Sequence, residues 1–493
     1  MLSKDLGFVF QNRLRNFDFP CYNKAMRGGI CMKITTEINP HIFRGYDIRG
    51  VVPRDIDENV AYTIGKALGS KLQRLQKTKC VIGHDNRISS PKLHQALRQG
   101  LVETGMEVYD IGLCTTPMYY FACFYFKIDS GVMVTASHNP KEENGFKIAF
   151  SNYQNAKGKE ITDFYQEILA LNFIEGTGKV EEKEIKQEYL NALLKDLNLE
   201  GRKRKVVFDP GNGTTAILLK DIIKHLPFES ILINGESDGN FPNHHPDPSI
   251  EANLLQLKKA VLETKADVGL AFDGDGDRVG IIANDGSFIA TDYYMIIIIR
   301  DIINKVKKKE FLYDVKCSKA LEDEIVRLGG IPYCYRTGSS YTKAKVQELD
   351  LPFGGELSGH LYFRDRFYGF DSGIYAGLRL LEILCHTDKS VIELLAGVPH
   401  YESTPEIKYP STDDRKVEVV KKIIAYCKQK EYNINDIDGV RVTFDDGWAL
   451  VRMSNTGPNI TARFEAKTKD RLEQIKNEFE TLIKEYNKEE GGI

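Results

Sequence analysis

One recurring pattern limits what this chain can fold into. Up to about residue 400, short apolar runs end in polar or glycine-rich loops and then give way to amphipathic stretches. Cys80–Gly83 leads into the loop His84–Pro91, and Gly131–Thr135 into Ala136–Pro140. Lys205–Phe208 leads into Asp209–Thr214, and Phe311–Val315 into Lys316–Ser318. Strand, loop and helix in repeated succession predict an α/β chain of mostly parallel sheets, with functional loops at the carboxyl ends of strands. The recurrence points to weak internal repetition of one α/β unit, without the fixed short period of a solenoid. Beyond His400 the character changes. Gly439–Phe444, Trp448–Arg452 and Ile460–Glu465 read as strands, and Lys469–Asn487 as a charged amphipathic helix. A small α+β domain is expected there, entered through a polar linker at His400–Arg415 that carries Pro405 and Pro410.

Length and composition narrow the class. A chain of 493 residues corresponds to roughly three domains, or four if they are small. A content of 42% hydrophobic and 28% charged residues excludes wholesale disorder and collagen-like repeats. Opposite charges nearly cancel, leaving −3, so neither a nucleic-acid nor a membrane partner is expected. Nine cysteines without a CxxC pair read as buried reduced thiols, the usage of a cytoplasmic protein. The longest apolar run, Tyr293–Ile299, is too short to span a bilayer and reads as a buried helix. Residues 1–31 are aromatic, basic and aperiodic, whereas Met32-Lys33-Ile34 reads like an ordinary start. They are expected to be a disordered extension or a mis-assigned start.

Four segments carry chemistry. In Phe272-Asp273-Gly274-Asp275-Gly276-Asp277-Arg278, three carboxylates alternate with two glycines. Glycines permit a tight turn, so the three side chains can converge on one oxygen-loving cation; a solvated hairpin is the plainer alternative. The spacing departs from an EF-hand, because Asn284 stands where the twelfth-position Glu would be. Thr135-Ala136-Ser137-His138-Asn139-Pro140 places a Ser and a His at a strand's end. That Ser is either a helix N-cap or a nucleophile that carries phosphate, and GxSxG is absent. Lys147 follows ten residues on as a proton acceptor or charge partner. Gly354-Gly355-Glu356-Leu357-Ser358-Gly359-His360 offers a carboxylate and a hydroxyl to sugar hydroxyls. Arg452-Met453-Ser454-Asn455-Thr456-Gly457 can form an anion cradle.

With these four segments in this order, the chain resembles the α-D-phosphohexomutase superfamily, most closely its phosphomannomutase/phosphoglucomutase branch. Phe43-Arg44-Gly45-Tyr46-Asp47-Ile48-Arg49-Gly50 and Arg336-Thr337-Gly338 with Lys343 match further signatures, so the resemblance runs from Met32 to the C-terminus. It implies three related mixed α/β domains and a C-terminal α+β domain of the TATA-box-binding-protein-like class, arranged around a central cleft. The expected domains are a phosphoserine domain at 32–185, a metal-binding domain at 186–288, a sugar-binding domain at 289–400 and a phosphate-binding domain at 401–493. The implied reaction is reversible phosphoryl transfer between the 1- and 6-hydroxyls of mannose or glucose phosphates, through phosphoserine 137 and a 1,6-bisphosphate.

The roles the resemblance implies are specific. Asp273, Asp275, Asp277 and a phosphoserine oxygen at Ser137 would hold Mg2+. Arg49, His138, Lys147 and Arg278 would neutralise charge or move protons beside Ser137. Tyr46, Arg336, Gly338, Lys343, Glu356, Ser358 and His360 would contact the sugar, and Arg452, Ser454, Asn455 and Thr456 the phosphate that is not reacting. A glucose or mannose 1,6-bisphosphate would serve as activator and intermediate. Hexose phosphates are the expected partners of a monomer or weak homodimer. Ser339 stands where many relatives carry His, which leaves that contact to His360 or Lys343. Leu357 and Asn455 favour the manno/gluco branch over phosphoglucosamine mutase, the alternative specificity. A sugar-phosphate-binding protein without activity and a serine phosphatase are the rival classes.

Overall fold

The computed structural model describes residues 32–454 and 457–488. The expected N-terminal extension, and Asn455 and Thr456 of the expected phosphate cradle, lie outside the described residues.

Three sheets follow one plan. The first contains β1 (Ile48–Val51), β2 (Lys79–His84), β3 (Glu107–Leu113), β4 (Gly131–Val134), β5 (Glu143–Ser151), β6 (Gln154–Asn155) and β7 (Lys179–Glu182). Its order is β1-β5-β4-β2-β3-β7, with β6 beside β5. The second contains β8 (Lys205–Asp209), β9 (Glu229–Leu232), β10 (Val268–Phe272), β11 (Val279–Ala283) and β12 (Phe288–Ile289), in the order β12-β11-β10-β8-β9. The third contains β13 (Glu310–Asp314), β14 (Ile331–Tyr335), β15 (Phe353–Gly355) and β16 (Leu361–Phe363), in the order β14-β13-β15-β16. In each, a central strand has a parallel neighbour on either side, and one of those neighbours has an antiparallel strand beyond it. The internal repetition suggested by the sequence is therefore a repeated strand order. The central strands are buried over most of their length, as parallel strands covered on both faces must be.

The repeat also corrects one reading. No helix follows the Ser137 loop. The chain returns as β5, antiparallel to β4, with Val132 opposite Ile148 and Met133 opposite Lys147. The N-cap alternative for Ser137 thus fails, since there is no helix to cap.

The predicted buried helix is found at Thr291–Ile302. Its apolar side chains cover most of its circumference, so it lies in the interior. It packs on β15 and on helix Gly373–Cys385, which in turn packs on β10 and β11. One continuous core therefore joins Met133 of the first sheet, Leu270 of the second and Phe311 of the third. No described helix is long and apolar enough to cross a membrane. The described cysteines are free thiols, all but Cys334 buried.

The C-terminal part is a six-stranded antiparallel sheet: β17 (Glu402–Ser403), β18 (Ile407–Pro410), β19 (Asn433–Asn435), β20 (Val440–Phe444), β21 (Gly447–Met453) and β22 (Asn459–Ala466). The stretch His400–Arg415 is thus not a free linker. Its Glu402–Ser403 and Ile407–Pro410 pair with β22, and helix Asp413–Gln429 begins before it ends. The prolines sit on this edge because Pro lacks the N–H that a central strand must donate.

Along β21, side chains alternate between two cores. Ala449 and Val451 pack against helices Asp413–Gln429 and Lys469–Asn487, whereas Trp448 and Leu450 pack on Val315 of the third unit. Trp448 is the only tryptophan and is fully buried, with the Arg441 guanidinium 4.2 Å from its ring centroid and its indole N–H donating to Glu465 at 2.8 Å. Arg441 also donates to the carbonyls of Val315 and Cys317, at 2.5 and 2.8 Å. This seam fixes the fourth unit on the third. Trp448→Ala is expected to cost about 3–5 kcal/mol of unfolding stability, read from urea titrations. A loss under about 1 kcal/mol would show that the seam does not hold the two units together.

Candidate active site

Three loops, after β4, β10 and β15, each connect a strand to an antiparallel neighbour and meet at one cleft, and the end of β21 brings Arg452 and Ser454 to it. A tight return of this kind leaves the side chains at the loop tip beyond the sheet's carboxyl edge, where loops of other units can reach them. The cleft has a volume of about 890 Å³. Arg44, Tyr46, Arg49 and His138 line it from the first unit, Asp247 and Arg278 from the second, Lys316, Gly338, Ser339, Glu356, Ser358 and His360 from the third, and Lys408, Arg452, Ser454 and Arg463 from the fourth.

At the inner wall stands the carboxylate cluster. Asp273, Asp275 and Asp277 are fully buried, and one oxygen from each lies within 4.8 Å of the others. Neighbouring units supply their compensation. Lys147 of β5 reaches Asp275 at 2.8 Å and Asp277 at 2.6 Å. Thr116 donates to Asp275 from its hydroxyl at 2.6 Å, and its backbone N–H donates to the Asp275 carbonyl at 2.9 Å. Oδ1 of Asp275 has no hydrogen-bond partner, and Oδ1 of Asp277 faces only the His360 ring, at 3.3 Å. A buried, unpartnered carboxylate oxygen in a converging all-oxygen set fits a hard divalent cation. Asp277, His360 and Asp371 form a second group of this size that shares Asp277, but the Arg278 guanidinium stands against it, with Nε 3.3 Å from His360 Nε2, and its charge opposes another cation there.

Ser137 joins the cluster directly. Its Oγ lies 3.1 Å from Asp273 Oδ2 and 3.1 Å from His138 Nδ1, and the side chain is otherwise buried. Burial, with Arg278 and Arg49 nearby, holds the His138 imidazole well below its ordinary value, so it is neutral. Burial opposes charge on Lys147, yet Asp275 and Asp277 keep its ammonium well above the usual range. Burial and repulsion from Asp277 and Asp275 push the Asp273 carboxyl up. Burial and Arg278 oppose a proton on His360, but Asp277 and Glu356 carry it up to about 9. The resulting imidazolium links the two loops, at 3.3 Å from Asp277 and 3.3 Å from Glu356.

Comparison with known proteins decides the family. Models of phosphoglucomutase/phosphomannomutase α/β/α domains I, II and III match residues 40–173, 187–286 and 290–401, and the model of the C-terminal domain matches 406–482. The chain belongs to the phosphoglucomutase/phosphomannomutase family. It is 40% identical over 442 residues to the phosphomannomutase/phosphoglucomutase of Pseudomonas putida, covering 90% of this chain and 95% of that one. It is 37% identical over 450 residues to a phosphoglucomutase of Neisseria meningitidis serogroup A, covering 90% and 96%. The crystal structure of a family protein from Burkholderia thailandensis superposes with a TM-score of 0.85 at 37% identity, covering 91% of this chain and 98% of that one.

Among the described residues, most of those expected of this family member stand at the cleft or on its inner wall, but Lys343 and Arg336 do not. Lys343, on helix Ser339–Glu348, points into the seam with the first unit. Its ammonium sits 3.7 Å from the Tyr120 ring centroid, where burial lowers it to about 8. Arg336 stacks on Tyr341 at 4.1 Å and does not line the cleft. Lys343 therefore cannot replace the missing His at Ser339; His360 is the imidazole that the third unit brings to the cleft. Sequence reasoning missed Lys316, which follows β13 and lines the cleft, and Asp314, which receives the Leu357 N–H at 3.1 Å and the Thr337 hydroxyl at 3.1 Å. Their only signal was a Lys and an Asp at a strand's carboxyl end. Thr116 had no signal beyond opening a helix.

Gly274 explains the spacing of the aspartate loop. A Cβ there would lie 2.5 Å from the Ser137 carbonyl oxygen, and Gly276 adopts φ 82° with Thr215 Oγ1 2.5 Å from its would-be Cβ. Gly274→Ala must therefore push the two loops apart. A misplacement of this kind can cost on the order of 100-fold in rate. A kcat fall of that size in a folded variant is expected from steady-state assay, and an unchanged kcat would show that the loops tolerate separation.

Proposed function

We propose that this chain moves a phosphoryl group reversibly between the 1- and 6-hydroxyls of mannose or glucose phosphates, by way of phosphoserine 137 and a hexose 1,6-bisphosphate. The observation that carries the reading is the Ser137 hydroxyl beside Asp273 of a buried three-carboxylate cluster, at the wall of a cleft rich in arginine and lysine. Phosphoryl transfer needs positioned, neutralised oxygens more than covalent help. Asp273, Asp275 and Asp277 would hold Mg2+, which when bound would offset charge on the phosphoryl oxygens at Ser137.

The remaining residues then have distinct work. Arg49 is anchored by Asp47 at 2.6 Å and by Asn139 at 2.8 Å, so its guanidinium is fixed beside the Ser137 loop. Glu356 accepts from the Gly338 N–H at 2.5 Å and the Thr342 hydroxyl at 3.0 Å through one oxygen, Oε1, leaving Oε2 to face His360 and the sugar. Ser358 donates or accepts beside it. Arg452, buried and paired with Asp438 at 3.0 Å, grips the distal phosphate with Ser454 and Lys316.

In the forward step, the bond from phosphorus to Ser137 Oγ breaks as one to the sugar hydroxyl oxygen forms. The hydroxyl proton leaves and the Ser137 oxygen ends protonated, with His138, 3.1 Å from Ser137 Oγ, placed to carry it. The bisphosphate then turns end for end, and the reverse transfer from its other oxygen restores phosphoserine 137. The cleft's volume and its spread of cations suit both orientations of one bisphosphate.

Ser137→Ala is expected to abolish phosphoenzyme and to lower turnover by at least about 10³-fold, the scale seen when a nucleophile is removed. Mass spectrometry of the Ser137 peptide and a coupled assay on glucose 1-phosphate and mannose 1-phosphate test it. Wild-type turnover in the alanine variant would refute the reading.

A further inference from the structure

Arg87 lies in the loop after β2, outside the cleft, with 1% of its surface exposed. All five of its N–H groups are used. Nε donates to Asp85 at 3.1 Å. One terminal nitrogen donates to the carbonyls of Pro140 and Glu143, at 2.7 and 3.0 Å. The other donates to the carbonyls of Ser137 and Asn139, both at 2.7 Å. Four of the five bonds thus end on the backbone of one loop, the loop that carries Ser137. Asp85 is fixed in turn by the Arg87 N–H at 3.1 Å and the Ser90 hydroxyl at 2.5 Å. From the second unit, the Phe241 ring covers the guanidinium with its centroid 5.4 Å away.

The loop needs such a clamp. Ser137 holds φ 54°, a left-handed conformation costly for a residue with a side chain, and such strain persists only when surroundings over-determine it. Its N–H is taken by Thr135 Oγ1 at 2.8 Å and its carbonyl by Arg87. With both flanking peptides held, only the side chain of Ser137 can turn.

We propose that Arg87 is the positioning residue for phosphoryl transfer: through four carbonyls of the 137–143 loop it fixes where Ser137 Oγ stands, while touching neither the cleft nor the carboxylate cluster. The proposal rests on the reading of Ser137 as the phosphoryl carrier. Geometry, not charge alone, is what Arg87 supplies. A planar fork of five donors can meet four carbonyls and a carboxylate at once, and the three donors of a lysine ammonium cannot. Losing the clamp should slow the chemical step and leave sugar binding intact, because the residues that line the cleft stay in place.

The test uses the full chain, first dephosphorylated, and glucose 1,6-bisphosphate as the probe. In the step followed, the phosphorus–oxygen bond to the sugar breaks as that to Ser137 Oγ forms, and the serine proton ends on the sugar oxygen. Arg87→Lys is expected to slow labelling of the Ser137 peptide and to lower kcat by at least about 30-fold, with KM for glucose 1-phosphate within about threefold and a cooperative melt. Adding free guanidinium to Arg87→Ala should recover part of the labelling rate, which a merely structural loss would not allow. Labelling of Arg87→Lys within about threefold of wild type would overturn the proposal, as would kcat and KM worsening together with the melt. Should Arg87→Lys not fold, Asp85→Asn, which removes the Nε partner, is expected to show the same selective loss of kcat, and a wild-type labelling rate there would overturn the proposal. Wild-type label at a residue other than Ser137 would overturn the phosphoserine reading, and the proposal with it. Wild-type label on Ser137 with unslowed variants overturns the assignment of Arg87 alone.

Discussion

Three carboxylates share a space that excludes water, and the rest of the structure is arranged around that fact. Like charges about 4 Å apart repel by roughly 4 kcal/mol even at an effective dielectric of 20. Burial adds the loss of hydration to each. Lys147 answers two of the three, and Arg278 approaches Asp273 at 3.8 Å. Threonine hydroxyls take further lone pairs on Asp275. His360 faces Oδ1 of Asp277 at 3.3 Å, and Oδ1 of Asp275 remains without a partner. A cluster compensated to that point, and no further, is one prepared for an additional positive charge.

Compensation of this kind cannot come from one α/β unit. Thr116 and Lys147 belong to the first unit, the aspartates to the second, and His360 to the third. Backbone contacts close the same junction: the Gly373 N–H donates to the Gly276 carbonyl at 3.1 Å, and Arg278 bridges to His360. The electrostatic cluster and the continuous apolar core beneath it therefore hold the first three units as one body. The fourth unit joins through a different kind of contact: Trp448 packs on Val315, Arg441 donates to the Val315 and Cys317 carbonyls, and Asp438 accepts from the Thr337 N–H at 3.1 Å.

The parts legible in the sequence were those whose signal is local. Alternating Asp and Gly at 273–277 can do little besides converge, and Trp448–Arg452 or Lys469–Asn487 keep one period throughout. The hairpin after β4 was misread because Ala136–Pro140 carries every cue for a helix start, while the pairing that overrides it, β5 on β4, depends on partners 12 to 18 residues away. The proline-bearing stretch before residue 415 was misread for a related reason: edge strands tolerate the residues that mark linkers. Lys343 matched a family segment, yet its direction is set by packing on Tyr120, which no local pattern encodes. Arg87 had no signal at all, since its role depends on carbonyls 50 to 56 residues later.

The site divides into a dry half and a wet half, and the division suits a substrate that must be held and then turned. At the dry wall, fixed charges cost no reorganisation during transfer and act at full strength. In the cleft, Arg44, Lys408 and Arg463 stand on flanking elements and remain partly open to solvent, where salt and water weaken each contact. A phosphate bound by several weakened contacts can be released and replaced by the other phosphate of the same molecule. Had the cleft been as dry as the aspartate wall, a bisphosphate would be held in one orientation and the second transfer would be lost. Had the wall been as wet as the cleft, phosphoserine would be open to hydrolysis. The clamp on the Ser137 backbone and the glycines opposite it keep the boundary between the two halves at one side chain, the one that must meet both.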